Sequence, residues 1–216
     1  MFEKFDPAED KMLQVIDNNG KVISKELMPQ LSDDEMLKLY KDMLFVRTLD
    51  HMIVSYQRQG RVYTYPPNYG QEAIGVAAGA VLRYDDWLVP AFRELGAWLA
   101  KGATIKDVFM FNMGFEEGTK FAGANHMLPS SVPIASQLLH ASGIGYAINY
   151  QKKDEVVMAF VGDGGTSEGD FHEALNFAGV WKVPVIFVVQ NNQYAISVPV
   201  KMQTASVNMA IKSKAY

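Results

Sequence analysis

Apolar residues recur at three- and four-residue spacing over residues 36–56, whereas near the C-terminal end they collapse into two short unbroken runs. The first pattern predicts an amphipathic helix and the second a pair of buried strands. Ser32-Asp33-Asp34-Glu35 reads as a capping box and starts the helix, in which Met36, Tyr40, Met43, Leu44, Arg47, Met52 and Tyr56 keep mainly apolar spacing until Gly60 ends it. Upstream, Asn18-Asn19-Gly20 lies between Leu13-Gln14-Val15-Ile16 and Lys21-Val22-Ile23, the signature of a small β-hairpin. The stretch from Gly70 to Arg83 holds Gly75, Ala77, Ala78, Gly79 and Ala80, small enough to let helices approach closely. Trp87-Leu88-Val89 is a short strand, and Ala135 to Asn149 a further helix rich in small residues.

The two apolar runs are Glu155 to Val161 and Val183 to Val189, with a helix from about Ser167 to Trp181 between them. Strand, helix, strand in this order is a parallel βαβ unit with a right-handed crossover, and its strand ends lie side by side at one edge. The expected fold class is therefore α/β, a doubly wound parallel sheet flanked by helices and preceded by a helical N-terminal extension. Residues 1–60 are expected to form the hairpin and long-helix extension, and residues 61–216 the α/β domain.

Candidate chemistry sits just past those strand ends. Gly162-Asp163-Gly164-Gly165 follows the first run and Asn191-Asn192 the second. Oxygen donors from Asp163 and Asn192 suit a hard cation such as magnesium, which keeps part of its octahedron for water and a phosphate ligand. Glycines let main-chain N–H groups approach that phosphate, and a following helix would offer its positive N-terminus. A dinucleotide fingerprint does not fit, because Ser167 stands where its third glycine belongs and the second run ends in Val189-Gln190 with no ribose-binding acid. A nucleoside triphosphate loop fails too, since Gly118-Thr119-Lys120 has the wrong order.

The segment resembles the thiamine diphosphate motif, in which G-D-G is followed at some two dozen residues or slightly more by N-N; here Gly165 to Gln190 is 26 residues. The resemblance extends along nearly the whole chain to the alpha subunits of the first component of 2-oxo acid dehydrogenase complexes, most nearly the pyruvate type. It is carried by Gln57-Arg58-Gln59-Gly60-Arg61, Gly70-Gln71-Glu72-Ala73, Ala91-Phe92-Arg93-Glu94, Val132-Pro133-Ile134-Ala135-Ser136-Gln137 and Asn191-Asn192-Gln193-Tyr194-Ala195-Ile196-Ser197, in the family order. It implies a thiamine diphosphate-binding fold in which Asp163, Asn192 and the main-chain carbonyl of Tyr194 hold Mg2+, Arg93 contacts the diphosphate, and Gly164 and Gly165 line it. Main-chain groups at Val132 and Ile134 would orient the aminopyrimidine ring. Phe92 replaces a family Tyr and lacks the hydroxyl that could bond a phosphate, and Pro66 stands where some pyruvate enzymes carry a substrate-contacting His. The substrate therefore stays open between pyruvate and branched-chain 2-oxo acids.

The same resemblance implies oxidative decarboxylation with acyl transfer to a lipoyl group on the second component, performed with a beta subunit in a heterotetramer of two alpha and two beta chains. That beta subunit would supply the glutamate that activates the pyrimidine. The family's catalytic loop histidine would lie beyond Tyr216, so the chain is expected to correspond to the N-terminal part of such a subunit, shortened at its C-terminus and inactive alone. A non-catalytic diphosphate-binding or assembly module is the other reading.

Composition narrows the remaining classes. A 216-residue chain with 49% hydrophobic residues can bury a sizeable core. A net charge of −4, with Lys201, Lys212 and Lys214 too sparse for a polyanion groove, argues against nucleic acid. The absence of cysteine removes disulfides and thiolate metal sites and accords with a cytoplasmic or organelle-matrix setting. No apolar stretch suits a membrane span, and Met1 to Asp6 lacks a signal-peptide core. Glu168 and His172 are read as a solvent-facing pair one helical turn apart. His51, His126 and His140 are read as structural, and the aromatic and Met residues before Gly118 as core or subunit interface.

Overall fold

The computed structural model describes residues 5–9 and 12–216, so most of the start read above for a signal peptide, Met1 to Lys4, lies outside the described residues. The first helix, α1 (Asp33–Arg58), begins at the capping box: Glu35 N–H donates to Ser32 Oγ at 3.3 Å and Ser32 N–H donates to Glu35 Oε2 at 2.8 Å. Gly60, in the left-handed region at φ +72°, ends it. The predicted hairpin shrinks to one antiparallel bridge, Ile16 to Val22, around the Asn18-Asn19-Gly20 turn. Leu13, Ile16 and Ile23 stay exposed, so no second layer stabilises longer pairing.

The buried stripe of α1 also differs from the predicted one. Val46, Leu49, Asp50 and Ile53 are buried, while Met36, Tyr40, Leu44 and Met52 are exposed. This helix is apolar on more than one side, and its rotation is set by partners distant in sequence. Arg47 grips Glu72 of α2 (Glu72–Val81) through Nε to Oε1 and through Nη2 to Oε2, the latter at 2.9 Å. Glu72 also accepts from Gly70 N–H at 3.1 Å, and the Arg47 contact holds its carboxyl down at about 2. Asp50 Oδ1 accepts from the Tyr65 hydroxyl at 2.7 Å and from Asn68 N–H at 2.6 Å.

The small residues of α2 serve the purpose their sizes suggest. A Cβ on Gly79 would lie 2.4 Å from Ala100 Cβ, and one on Gly96 would lie 2.8 Å from Val76 N, so α2 and α3 (Leu95–Ala100) touch backbone to backbone. A second capping box, Thr104 with Asp107, starts α4 (Ile105–Asn112). Trp98 of α3 meets Phe121 edge-on at 5.1 Å and Phe111 at 5.5 Å, which makes most of the aromatic cluster flanking Gly118 core.

Three parallel strands, β1 (Trp87–Val89), β2 (Val157–Gly162) and β3 (Val185–Gln190), form a sheet in the order β1-β2-β3. Two helices, α5 (Ser136–Gln151) and α6 (Gly169–Trp181), make the crossovers and pack on each other. Strand alternation separates two apolar clusters. Val89, Val157, Ala159 and Val161 pack with Leu138, Ala141, Phe171 and Ala174 of α5 and α6, while Leu88, Met158 and Phe160 pack with α1, α2 and α3. Each fully buried Val, Leu, Met or Phe side chain among these contributes about 1.5–3 kcal/mol relative to exposure. The expected α/β class, a parallel sheet covered by helices, is the observed one.

After β3 the chain makes a short antiparallel pair, β4 (Tyr194–Ala195) with β5 (Val198–Pro199), then α7 (Val200–Gln203) and a closing 3-10 turn at Ala210–Ala215. This segment folds back over the turn that follows β2. Lys212 Nζ donates to Thr166 O at 2.6 Å and to Thr166 Oγ1 at 3.1 Å. His172 does not pair with Glu168 as expected; its Nδ1 lies 2.8 Å from the Tyr216 hydroxyl, brought beside it by the returning segment. His126 stacks on Trp87 at 4.4 Å and His51 on Tyr69 at 5.4 Å, both structural placements. Among the described residues, no helix is long and apolar enough to cross a membrane.

Candidate functional site

Gly162 and Gln190 are the last paired residues of β2 and β3, so the chain leaves both strands at one edge of the sheet. Asp163 is one step past that pair and Asn192 two. Asp163 is 1% exposed, and its Oδ2 accepts a single side-chain hydrogen bond, from Gln203 Nε2 at 3.2 Å. Among the described residues it has no cationic partner. Asn192 is exposed and accepts through Oδ1 from Tyr194 N–H at 3.1 Å, which fixes the turn that carries Tyr194 into β4.

The glycine run does not lead straight into an α-helix, contrary to the sequence reading. Asp163–Ser167 is a 3-10 turn and α6 starts only at Gly169, so the N–H groups nearest the strand edge belong to the tight turn. Gly164 and Gly165 are required there by space. A Cβ on Gly164 would come within 2.5 Å of Ala195 Cβ, and one on Gly165 within 2.3 Å of Val161 Cγ2. The turn is thus clamped between the core strand and the β4 segment.

A cavity of about 600 Å3 opens at this edge and runs inward beneath α3 and α4. Its walls include all nine residues singled out in the sequence: Phe92, Arg93, Val132, Ile134, Asp163, Gly164, Gly165, Asn192 and Tyr194. Pro66 lines it as well. Arg93 is half-buried and donates through Nη1 to Pro67 O but meets no carboxylate side chain in an ion pair among the described residues. Burial lowers its pKa, and a desolvated guanidinium with donors to spare favours an anion. Val132 and Ile134 are exposed at the rim, and Ala135, next to Ile134, is buried in the left-handed region at φ 69°. A non-glycine residue held there is strained, as happens at ligand sites.

Sequence reasoning missed several groups. Glu94 is 1% exposed and burial pushes its carboxyl up to about 7; one of its oxygens, Oε1, has no hydrogen-bond partner. Trp98 Nε1, Gln137 Oε1 and Gln190 Nε2 are buried wall groups in the same condition. The Tyr65, Asp50 and Asn68 network braces the wall from behind, and Leu95 N–H donates to Asn68 Oδ1 at 3.0 Å, tying α3 to it. Only the string Phe92-Arg93-Glu94 offered a signal for Glu94; burial supplied the rest.

Among the described residues, no group of three or more His, Cys, Asp or Glu side chains could hold a metal. The strand edge offers one carboxylate, one amide oxygen and main-chain carbonyls instead. Such a set fits magnesium shared with a phosphate, and the buried, cation-free carboxylate of Asp163 fits the same use.

Fold and cavity together define an α/β protein with a cavity at the carboxyl ends of parallel strands, where one wall presents a guanidinium without a carboxylate partner among the described residues and the other a buried carboxylate. Residues 40–216 match the dehydrogenase E1 component family, and the chain belongs to it. It is 37% identical over 203 residues to the pyruvate dehydrogenase E1 component subunit alpha of Staphylococcus aureus strain Mu50, covering 94% of this chain and 55% of that protein. The Staphylococcus epidermidis subunit of strain RP62A is 36% identical over the same coverage. The chain thus spans about half the length of these relatives. A solved structure of a protein assigned as a thiamin diphosphate-dependent enzyme from Mycobacterium smegmatis aligns with a TM-score of 0.44 at 19% identity, covering 71% of this chain and 26% of that one.

Proposed function

We propose that the chain forms the diphosphate- and magnesium-binding part of the alpha subunit of a thiamine diphosphate-dependent 2-oxo acid dehydrogenase, with pyruvate as substrate. The observation that carries this reading is the meeting of Arg93, Asp163, Gly164, Gly165 and Asn192 in one cavity at the carboxyl ends of β2 and β3. Asp163 Oδ, Asn192 Oδ1 and the main-chain oxygen of Tyr194 would hold magnesium. Arg93 and the N–H groups of the 163–167 turn would hold the diphosphate, Phe92 would pack beside it, and main-chain groups at Val132 and Ile134 would orient the aminopyrimidine.

When bound, thiamine diphosphate supplies the carbanion and the electron sink for decarboxylation. This chain's residues bind and orient it, and the apolar wall of Leu95, Val108 and Phe111 keeps water from the inner end. A beta subunit completes the site in a heterotetramer of two alpha and two beta chains, and the acyl group passes to a lipoyl group on the second component. Residues 1–60 serve as the extension and 61–216 as the ligand domain, in the cytoplasm or an organelle matrix. A branched-chain 2-oxo acid is the second reading, favoured by the same apolar inner wall and by Pro66 in place of a polar substrate contact.

Carbon dioxide release with an artificial electron acceptor tests the proposal. A full-length alpha subunit paired with its beta subunit is expected to turn over pyruvate in preference to 3-methyl-2-oxobutanoate, and the 216-residue chain alone to turn over neither. Activity of the lone chain overturns the shared site; preference for the branched acid overturns only the choice of substrate.

A further inference from the structure

Gln203 is the last residue of α7, 40 positions after Asp163 in sequence, yet its amide nitrogen serves the aspartate directly. Nε2 donates to Asp163 Oδ2 at 3.2 Å and to Val198 O at 2.9 Å, so the amide is anchored on the β5 strand while it reaches the carboxylate. No other side-chain hydrogen bond to the Asp163 carboxylate exists among the described residues, and the group is 1% exposed. Gln203 Oε1 lies 3.3 Å from where a Cβ of Gly164 would stand, which puts the amide against the glycine turn itself.

The backbone around this amide is also tied down. Ser167 Oγ donates to Gln203 O at 3.2 Å, so the two ends of the turn, Asp163 and Ser167, are both bonded to residue 203. Thr204 N–H donates to Val200 O at 3.1 Å and closes α7. Among the described residues no other side-chain donor sets the orientation of this carboxylate about χ2. An anchored donor fixes one oxygen and leaves the other for a ligand, which is how outer groups orient metal-binding carboxylates.

We propose that Gln203 is a positioning residue for the cation site: it holds the Asp163 carboxylate at the orientation in which its second oxygen binds a divalent cation. This inference rests on the magnesium reading of Asp163 given above. It links the segment after β3 to the loop after β2, so that the cation site depends on residues 198–204 folding over the turn.

The test uses Gln203→Met, which keeps the length of the side chain and removes the donor, and Gln203→Glu, which keeps its shape and replaces the donor with an acceptor. Both are made in the complex assembled with the beta subunit. Binding of Mn2+ is followed by electron paramagnetic resonance, thiamine diphosphate affinity at fixed Mg2+ by calorimetry, and thermal unfolding without metal or cofactor by circular dichroism. Both variants are expected to weaken cation binding by about 10–100-fold while the metal-free unfolding temperature stays near that of the parent. Gln203→Asn, with a shorter amide, is expected to recover part of the affinity that Gln203→Met loses. Unchanged Mn2+ affinity in Gln203→Met overturns the proposal, as does a loss matched by an equal fall in metal-free stability, which would make the residue a packing element. Asp163→Ala separates the two levels of inference: if it leaves Mn2+ and cofactor binding intact, the magnesium reading itself fails. If it abolishes both and Gln203→Met changes neither, only the positioning role fails.

Discussion

Gly162 and Gln190 face each other as the terminal pair of the β2–β3 ladder, and this single register aligns two loops whose proposed ligands, Asp163 and Asn192, lie 29 residues apart. A slip of one residue would turn alternate side chains of β3 to the wrong face of the sheet. The loops are therefore aligned by the core, and substitutions in them should alter binding without unfolding the chain.

Asp163→Ala should abolish magnesium-dependent thiamine diphosphate binding in the assembled complex and leave the circular dichroism spectrum of the fold unchanged. Calorimetry that finds the parent affinity would reject the ligand assignment. His172→Ala, which removes the contacts to Tyr216 and to the Phe171 ring, should leave cofactor binding unchanged.

Gly165→Ala and Gly169→Ala make a matched pair. The Cβ of the first would lie 2.3 Å from Val161 Cγ2, on a stiff β-branched side chain in the core strand, and that of the second meets nothing within 4 Å. Overpacking of this kind costs about 1–3 kcal/mol and should shift the turn and weaken diphosphate binding. Gly169→Ala should match the parent in denaturant unfolding and in cofactor affinity. Equal behaviour of the two variants would refute the clamped turn.

Tyr65→Phe removes the hydroxyl that donates to Asp50 Oδ1 and accepts from Asn68 Nδ2 at 3.1 Å. Asp50 is 1% exposed and its Oδ2 already has no partner, so the loss falls on a buried carboxylate. Destabilisation of about 1–3 kcal/mol is expected in urea unfolding. A neutral result would mean that the network does not brace the cavity wall.

Glu94 gives a pH signature. Its folded-state pKa, pushed by burial from 4.5 up to about 7, means that the folded chain holds this proton more tightly than the unfolded one. The group therefore favours the folded state at low pH, and that contribution is lost as pH rises from about 4.5 to 7. Glu94→Gln, which cannot ionise, should gain stability relative to the parent across that window, reaching on the order of 3 kcal/mol at pH 8. Unfolding curves for the two proteins that stay parallel from pH 4 to pH 8 would contradict it.

Much of the frame was readable in the residues because it rests on local rules. The capping box at Ser32 and Glu35, the β-branched runs that became β2 and β3, and the small residues of α2 each carry their reason within a few positions. The exposed side of α1 was not readable, because Met36, Tyr40, Leu44 and Met52 satisfy helical spacing as well as Val46, Leu49 and Ile53 do. The partner of His172 was missed for a related reason: Tyr216 lies 44 residues away, whereas Glu168 is one turn away.

By itself the sequence determined the βαβ unit, the glycine turn and the family to which the chain belongs, since strand period, turn chemistry and motif spacing are properties of neighbouring residues. Only the tertiary structure decided which face of α1 is buried, that the turn after β2 is a 3-10 helix, that Glu94 is sealed in the cavity wall, and that Gln203 reaches Asp163. Those outcomes depend on packing between segments far apart in the chain, where burial and hydrogen-bond partners exist only after the layers have come together.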